Sequence, residues 1–230
     1  QLAKVNKDFL IKKPNNISKK ESMVIGTAGF TALLCALAIN AREALLLGEK
    51  VNEVLVTGAT GGVGSVAVMA LTKMGYNVTA VTGKPENTEL LKKLGAKNVI
   101  NRSEFEGEPK LLGKAIWDGV VDTVGGNVLA HAISQTKHSG IVAACGNAGG
   151  VKLNTNVMPF ILRGVKLWGI DSIQVSMKRR EFVWSQVEKL IDFKILEELV
   201  QVLSLDGIIN IFPEMLKGQT SGRIIVDVNK

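Results

Sequence analysis

The sequence predicts an α/β protein with a doubly wound parallel sheet, and three observations carry that reading. Short apolar segments alternate with segments of helical spacing from residue 52 to residue 171. A glycine-rich run at residues 58–64 falls between the first of those apolar segments and the first helical one. The 230 residues include 24 Gly but only 5 Pro, a balance that suits many tight strand-to-helix turns better than a flexible linker. Parallel strands need crossover connections, usually helices, so this alternation implies a sheet covered on both faces.

The elements follow in chain order. Met23 to Ile39 is apolar and approaches the length of a membrane span. Gly26, Thr27, Gly29 and Thr31 interrupt it, and Asn40, Arg42 and Glu43 follow, so a buried helix and no membrane partner are expected. Asn52 to Gly58 reads as a buried strand and Gly62 to Met74 as a helix. Asn77 to Thr82 is a second strand, and Glu86 to Leu94 a helix stopped by Gly95. Asn98 to Asn101 is the third strand, followed by a helix over Ser103 to Ala115. The strand Gly119 to Val124, the helix Asn127 to Thr136 and the strand Gly140 to Cys145 continue the pattern. Beyond Gly150 the spacing predicts a helix at Met158 to Leu162, a strand at Lys166 to Asp171, and helices within Lys178 to Ile191 and Leu196 to Leu203. Arg223 to Val228 closes the chain as a strand, while Lys4 to Lys20 looks exposed and poorly connected to the core pattern.

Composition narrows the function classes. Net charge is +7, but Lys and Arg are dispersed and no nucleic-acid-binding signature accompanies them, so no nucleic-acid partner is expected. Phosphate-bearing small molecules suit the same excess. Cys35 and Cys145 are the two cysteines; each lies in an apolar run and they form no C-x-x-C pair, which points to a reducing, cytoplasmic setting. His131 and His138 lack the helical zinc spacing, so no metal is expected. No signal peptide is recognisable, and the start at Gln1 suggests a fragment or a processed chain.

Gly58, Ala59, Thr60, Gly61, Gly62, Val63 and Gly64 stand where a dinucleotide turn belongs. Ala59 takes the first position of G-x-G-x-x-G, with Gly61 and Gly64 at the other two. Small residues let the backbone approach a pyrophosphate, and free amides at a helix N-terminus favour its charge. The alternative is a glycine turn that only packs helix on strand. An NAD site commonly ends its second strand in Asp or Glu to hold the ribose hydroxyls. Here Thr82, Gly83 and Lys84 stand instead, which removes repulsion toward a 2′-phosphate and supplies an ammonium, so NADPH is the expected cofactor. A solvated loop lysine is the competing reading of Lys84.

The ordered succession of IGTAGFTA at Ile25 to Ala32, VTGATGGVGSVAV at Val56 to Val68, VTGK at Val81 to Lys84, LGA at Leu94 to Ala96, DTVGG at Asp122 to Gly126 and MPFILRGVKLWGIDS at Met158 to Ser172 resembles the acrylyl-CoA reductase and YhdH-type quinone oxidoreductase branch of the medium-chain dehydrogenase/reductase superfamily. The resemblance covers nearly the whole chain. It implies a Rossmann domain at 21–202, with 1–20 and 203–230 as return segments of an incomplete, GroES-like substrate domain. It also implies zinc-independent, NADPH-dependent reduction of an activated carbon–carbon double bond. The implied substrate is an enoyl-CoA, acrylyl-CoA foremost, or a quinone-like molecule, and a homodimer is a possible assembly.

Thr27 and Thr31 lie in the segment that resembles the family's nicotinamide-facing helix start, with helix capping as the alternative for Thr27. Asn147 follows the strand ending at Cys145, near the edge where open α/β sheets bind ligands; it contacts cofactor or makes the turn. Arg163 is the candidate for an anionic substrate contact, against a role holding a helix end or Asp171. Cys145 has no histidine partner and reads as a buried thiol, and sole Tyr76 gives no case for a proton donor. No catalytic residue is singled out. A nucleotide-binding sensor and a structural fragment without turnover are the non-enzyme alternatives.

Overall fold

The computed structural model describes residues 3–45 and 52–229. Strands β1 (Glu53–Val56), β2 (Asn77–Thr82), β3 (Asn98–Asn101), β4 (Trp117–Asp122), β5 (Thr136–Ala144) and β6 (Lys166–Gly169) form one sheet in the order β3-β2-β1-β4-β5-β6. All neighbours are parallel. The chain winds outward from β1 to β3, then returns to β4 on the other side, so a crevice opens at the carboxyl ends of β1 and β4.

Helices α1 (Lys19–Leu45) and α2 (Gly62–Lys73) cover one face, and α4 (Gly126–Ser134) the other, while the short α3 (Thr88–Lys93) and α5 (Met158–Arg163) complete the crossovers. Strand alternation divides the core accordingly. Val54, Val56, Val78 and Ala80 join the α1/α2 side, whereas Leu55, Val81, Val120 and Val142 join Leu129 and Ile133 of α4. The stretch read as a buried helix is α1: Ile25, Leu33, Leu34 and Ile39 are sealed from solvent. Gly26 breaks its helical path with φ 45°, ψ −154°, a conformation open to glycine and strained for other residues.

Three sequence expectations are corrected. The helix expected over Ser103 to Ala115 is only a 3-10 turn at Arg102–Phe105, because Gly107 takes φ 85° and Pro109 and Gly113 follow. The helix expected at Leu196 to Leu203 stops early. Helical turns α6 (Met177–Ser185), α7 (Val187–Leu190), α8 (Phe193–Leu196) and a 3-10 turn to Leu199 lead into strand β7 (Val200–Ser204), whose apolar alternation pairs with a distant partner. That partner, β8 (Arg223–Asp227), lies parallel to β7 across an unexpected helix, α9 (Gly207–Leu216), and the two strands form a separate small sheet. The opening segment is also tied down: Ile17 is buried and Asn16 Nδ2 donates to Glu188 of α7 at 3.2 Å.

The amino-terminal edge of the large sheet is stitched by charge. Asp118 accepts from the amides of Asn52 and Glu53 at 3.2 and 3.0 Å and from Lys137 Nζ at 3.0 Å, while Arg42 stands 3.6 Å away. Arg42 also donates to the carbonyls of His138 and Ser139. Burial alone would raise the Asp118 carboxyl, but the two amides and the Lys137 ammonium outweigh it and hold the group below its ordinary range. A depressed folded-state pKa adds stability that is present above the unfolded value and lost as pH falls through the folded one. Thermal melts from about pH 6 down to about pH 2 should therefore show a shallower acid loss in Asp118→Asn than in the parent below about pH 4. Identical acid limbs would remove Asp118 from that account.

Candidate cofactor site

The glycine-rich run forms the turn from β1 into α2. Gly58 has φ 59°, and a Cβ there would stand 2.2 Å from Thr123 Oγ1. Ala59 donates its amide to Val81 O and Gly61 to Gly58 O, each at 3.0 Å, which fixes the turn against β2. Gly61 caps α2 without a side-chain acceptor, so the first helical amides are left for something else. A Cβ on Gly64 would lie 2.3 Å from Gly58 O and 2.7 Å from Ala59 Cα, so only glycine lets the helix approach this closely. Ser65 Oγ, just behind the turn, is buried without a hydrogen-bond partner among the described residues.

The second strand ends at the same edge. Thr82 Oγ1 lies 3.3 Å from Thr60 Oγ1 and accepts the Lys84 amide at 3.0 Å. Lys84 Nζ donates to Thr220 O at 2.5 Å and to Ser221 Oγ at 3.1 Å, and burial lowers its pKa against the opposing pull of Glu86. Its ammonium is therefore held in place rather than solvated. Gly222 N donates to Thr60 O at 2.8 Å, so the segment before β8 lies directly on the glycine-rich turn.

Two cations that local sequence reading missed complete the group. A Cβ on Gly83 would stand 3.2 Å from Arg102 Cζ, which puts that guanidinium beside the end of β2. A Cβ on Gly62 would stand 2.8 Å from Arg223 Nη1, and one on Gly26 3.0 Å from Arg223 Nη2. Arg223 Nε donates to Val24 O at 2.8 Å, and burial lowers its pKa without neutralising a guanidinium. Arg102 had a signal, since it follows β3 at the ligand-binding edge. Arg223 had none locally, because it reaches the turn from the far end of the chain.

The remaining site candidates divide. Thr27 is exposed immediately after the Gly26 kink, and Thr31 is buried and donates to Thr27 O at 2.7 Å. Beside the kink a cavity of about 620 Å³ is lined by Met23, Thr27, Phe30, Ile173 and Trp184, with Arg180 stacked 4.7 Å over the Phe30 ring. Asn147 is exposed in the loop after β5, and its carbonyl accepts from Gly150 N at 3.0 Å. Arg163 does not join the group. Its guanidinium donates to Ser134 O, Thr136 O and Gly113 O at 3.0, 3.1 and 2.6 Å, pinning the end of α4 at the opposite edge of the sheet.

A six-stranded 3-2-1-4-5-6 sheet with a glycine turn after β1 defines a Rossmann-type dinucleotide fold. The zinc-binding dehydrogenase family matches residues 62–192. The probable acrylyl-CoA reductase AcuI of Escherichia coli strain K12 is 42% identical over 227 residues, covering 99% of this chain and 69% of that protein. The putative quinone oxidoreductase YhfP of Bacillus subtilis is 43% identical over 228 residues, covering 98% of this chain and 68% of that protein; its crystal structure with NAD bound superposes with a TM-score of 0.89. The yhdH oxidoreductase of Salmonella enterica in complex with NADP superposes with a TM-score of 0.92 at 41% identity, covering 98% of this chain and 68% of that one. The chain belongs to the zinc-binding dehydrogenase family, within the acrylyl-CoA reductase and YhdH-type quinone oxidoreductase branch of the medium-chain dehydrogenase/reductase superfamily.

Proposed function

We propose that this chain binds NADPH as part of a zinc-independent reductase of activated carbon–carbon double bonds, with acrylyl-CoA as substrate. The carrying observation is the set of three cations, Lys84, Arg102 and Arg223, around a glycine turn whose second strand ends without a carboxylate. The turn amides and Arg223 suit the pyrophosphate, and Lys84 and Arg102 suit the adenosine 2′-phosphate. Thr27 and Asn147 are the proposed contacts toward the nicotinamide end, with Thr31 supporting Thr27 from the next turn. NADPH, when bound, supplies a hydride. The role proposed for this chain's residues is to hold the nicotinamide end in position beside the cavity at Thr27. Among the described residues no three His, Cys, Asp or Glu side chains converge, and the proposal assigns no step to zinc.

The domain division at 21–202 and at 1–20 with 203–230 is part of the proposal, with the boundary best drawn before Val200, since β7 pairs with β8 alone. A homodimer would find a free edge in β6, where Leu167 and Trp168 are exposed.

Arg223→Ala should weaken NADPH and NADH alike by about 2 kcal/mol, because the pyrophosphate is common to both. A loss confined to one cofactor in calorimetric titration would move Arg223 off the pyrophosphate. Substrate is tested by following NADPH absorbance with acrylyl-CoA at equal cofactor occupancy. NADPH oxidation should accelerate on addition of acrylyl-CoA. No oxidation dependent on acrylyl-CoA would contradict the proposed substrate. Oxidation of NADPH by a quinone but not by acrylyl-CoA would favour the reading suggested by the name of YhfP.

A further inference from the structure

The segment that leads into β8 does more than lie on the glycine-rich turn, because it also holds the cation at the end of β2. Lys84 Nζ donates to Thr220 O at 2.5 Å and to Ser221 Oγ at 3.1 Å. Both acceptors are uncharged, and among the described residues no carboxylate forms an ion pair with Lys84. The ammonium therefore keeps its full charge, and of its three donors one is left over. The acceptors are themselves fixed. One residue on, Gly222 N donates to Thr60 O at 2.8 Å, and Gly222 takes φ 67° where a Cβ would stand 2.3 Å from Leu199 O. Next along the chain, Arg223 Nε donates to Val24 O at 2.8 Å. Ser221 thus stands on backbone pinned against the glycine-rich turn, the 3-10 turn before β7, and α1.

We infer that Ser221 is a positioning residue for cofactor choice: acting through Lys84, it sets the preference for a dinucleotide that carries a 2′-phosphate. The inference rests on the reading of this turn as an NADPH site. A lysine is a point charge on a flexible stem, and that stem must be ordered whenever the charge meets an anion. Two fixed acceptors order it before any cofactor arrives, and the remaining N–H is left to turn to a phosphate oxygen. Without Ser221 Oγ the Thr220 carbonyl is the sole anchor, and the ammonium swings about it. Lys84 stands at the end of β2 and not at the start of α2, so the effect falls on the phosphate that distinguishes NADPH from NADH.

The test is calorimetric titration with NADPH and with NADH of the unmodified chain, Ser221→Ala, Lys84→Ala and the double variant. Ser221→Ala should lower the ratio of NADPH to NADH affinity by roughly threefold to tenfold, the worth of one hydrogen bond. NADH affinity and melting temperature should stay as they are. Ser221→Thr, which keeps the hydroxyl, should keep the parent ratio. In the Lys84→Ala background, Ser221→Ala should change the ratio no further. A merely structural role would instead lower both affinities alike and persist without Lys84. Either of those results, or an unchanged ratio in Ser221→Ala beside a parent that prefers NADPH, would overturn this inference alone. Equal affinities in the parent would overturn the NADPH reading and this inference with it. Should Ser221→Ala fail to fold, Ser221→Cys, whose sulfur is a weak acceptor, carries the same comparison.

Discussion

Gly64→Ala is expected to destabilise the chain by about 3 kcal/mol, the upper end of the usual cost of inserting a methyl into a packed site. For a domain of this length that is a fall in melting temperature on the order of 10 °C. The added Cβ would stand 2.3 Å from Gly58 O and 2.7 Å from Ala59 Cα. Both are backbone atoms, so no rotamer change relieves the clash, and α2 must lift away from β1. Lifting the helix also withdraws the turn amides, so cofactor affinity should fall with stability. Gly61→Ala is the control: its Cβ would meet only Gly58 O, at 3.3 Å, so the fold should hold while a larger side chain there, as in Gly61→Val, blocks approach of the pyrophosphate. Circular dichroism melts of the two alanine variants decide the matter. Equal melting temperatures would mean that the helix does not depend on the close approach described.

The second large effect concerns cofactor choice. Lys84→Ala and Arg102→Ala should each weaken NADPH by about 1.5 to 3 kcal/mol, the range of hydrogen bonds to charged groups, while leaving NADH nearly unchanged. On the proposed reading, in which both cations serve one phosphate, the double variant should lose less than the sum of the single losses. The two differ in structural cost. Lys84 also holds Thr220 and Ser221, so its removal loosens the segment before β8, whereas Arg102 is exposed. Arg102→Ala is therefore the cleaner probe: a selective loss of NADPH affinity with an unchanged melting temperature is the expected signature. Parallel losses of NADPH and NADH would place Arg102 elsewhere.

Much of this was legible in the sequence because it is local. The run from Gly58 to Gly64 sits between an apolar strand and a helix, and turn, strand and helix appear as the residue spacing requires. Thr82 and Lys84 were found by the same logic, from the end of the strand that follows. What escaped was non-local. β7 looks like the tail of a helix until Arg223–Asp227 is seen beside it, and α9 hides behind Gly207 and Pro213, which read as breakers. Arg223 is invisible for the same reason, since only the β7–β8 pairing brings it over Gly62. Arg163 shows the converse case: a charged residue inside a distinctive motif invites a ligand role, yet the structure favours the alternative of holding a helix end, since its guanidinium donates to three carbonyls at the far edge of the sheet.

The central claim is that the cations around the β1–α2 turn make this an NADPH site, although one close relative has been crystallised with NAD bound. Calorimetric titration of the unmodified chain with NADPH and with NADH tests it most directly. One charged contact to the 2′-phosphate predicts a preference for NADPH of about tenfold or more. Equal affinities, or tighter binding of NADH, would contradict the account.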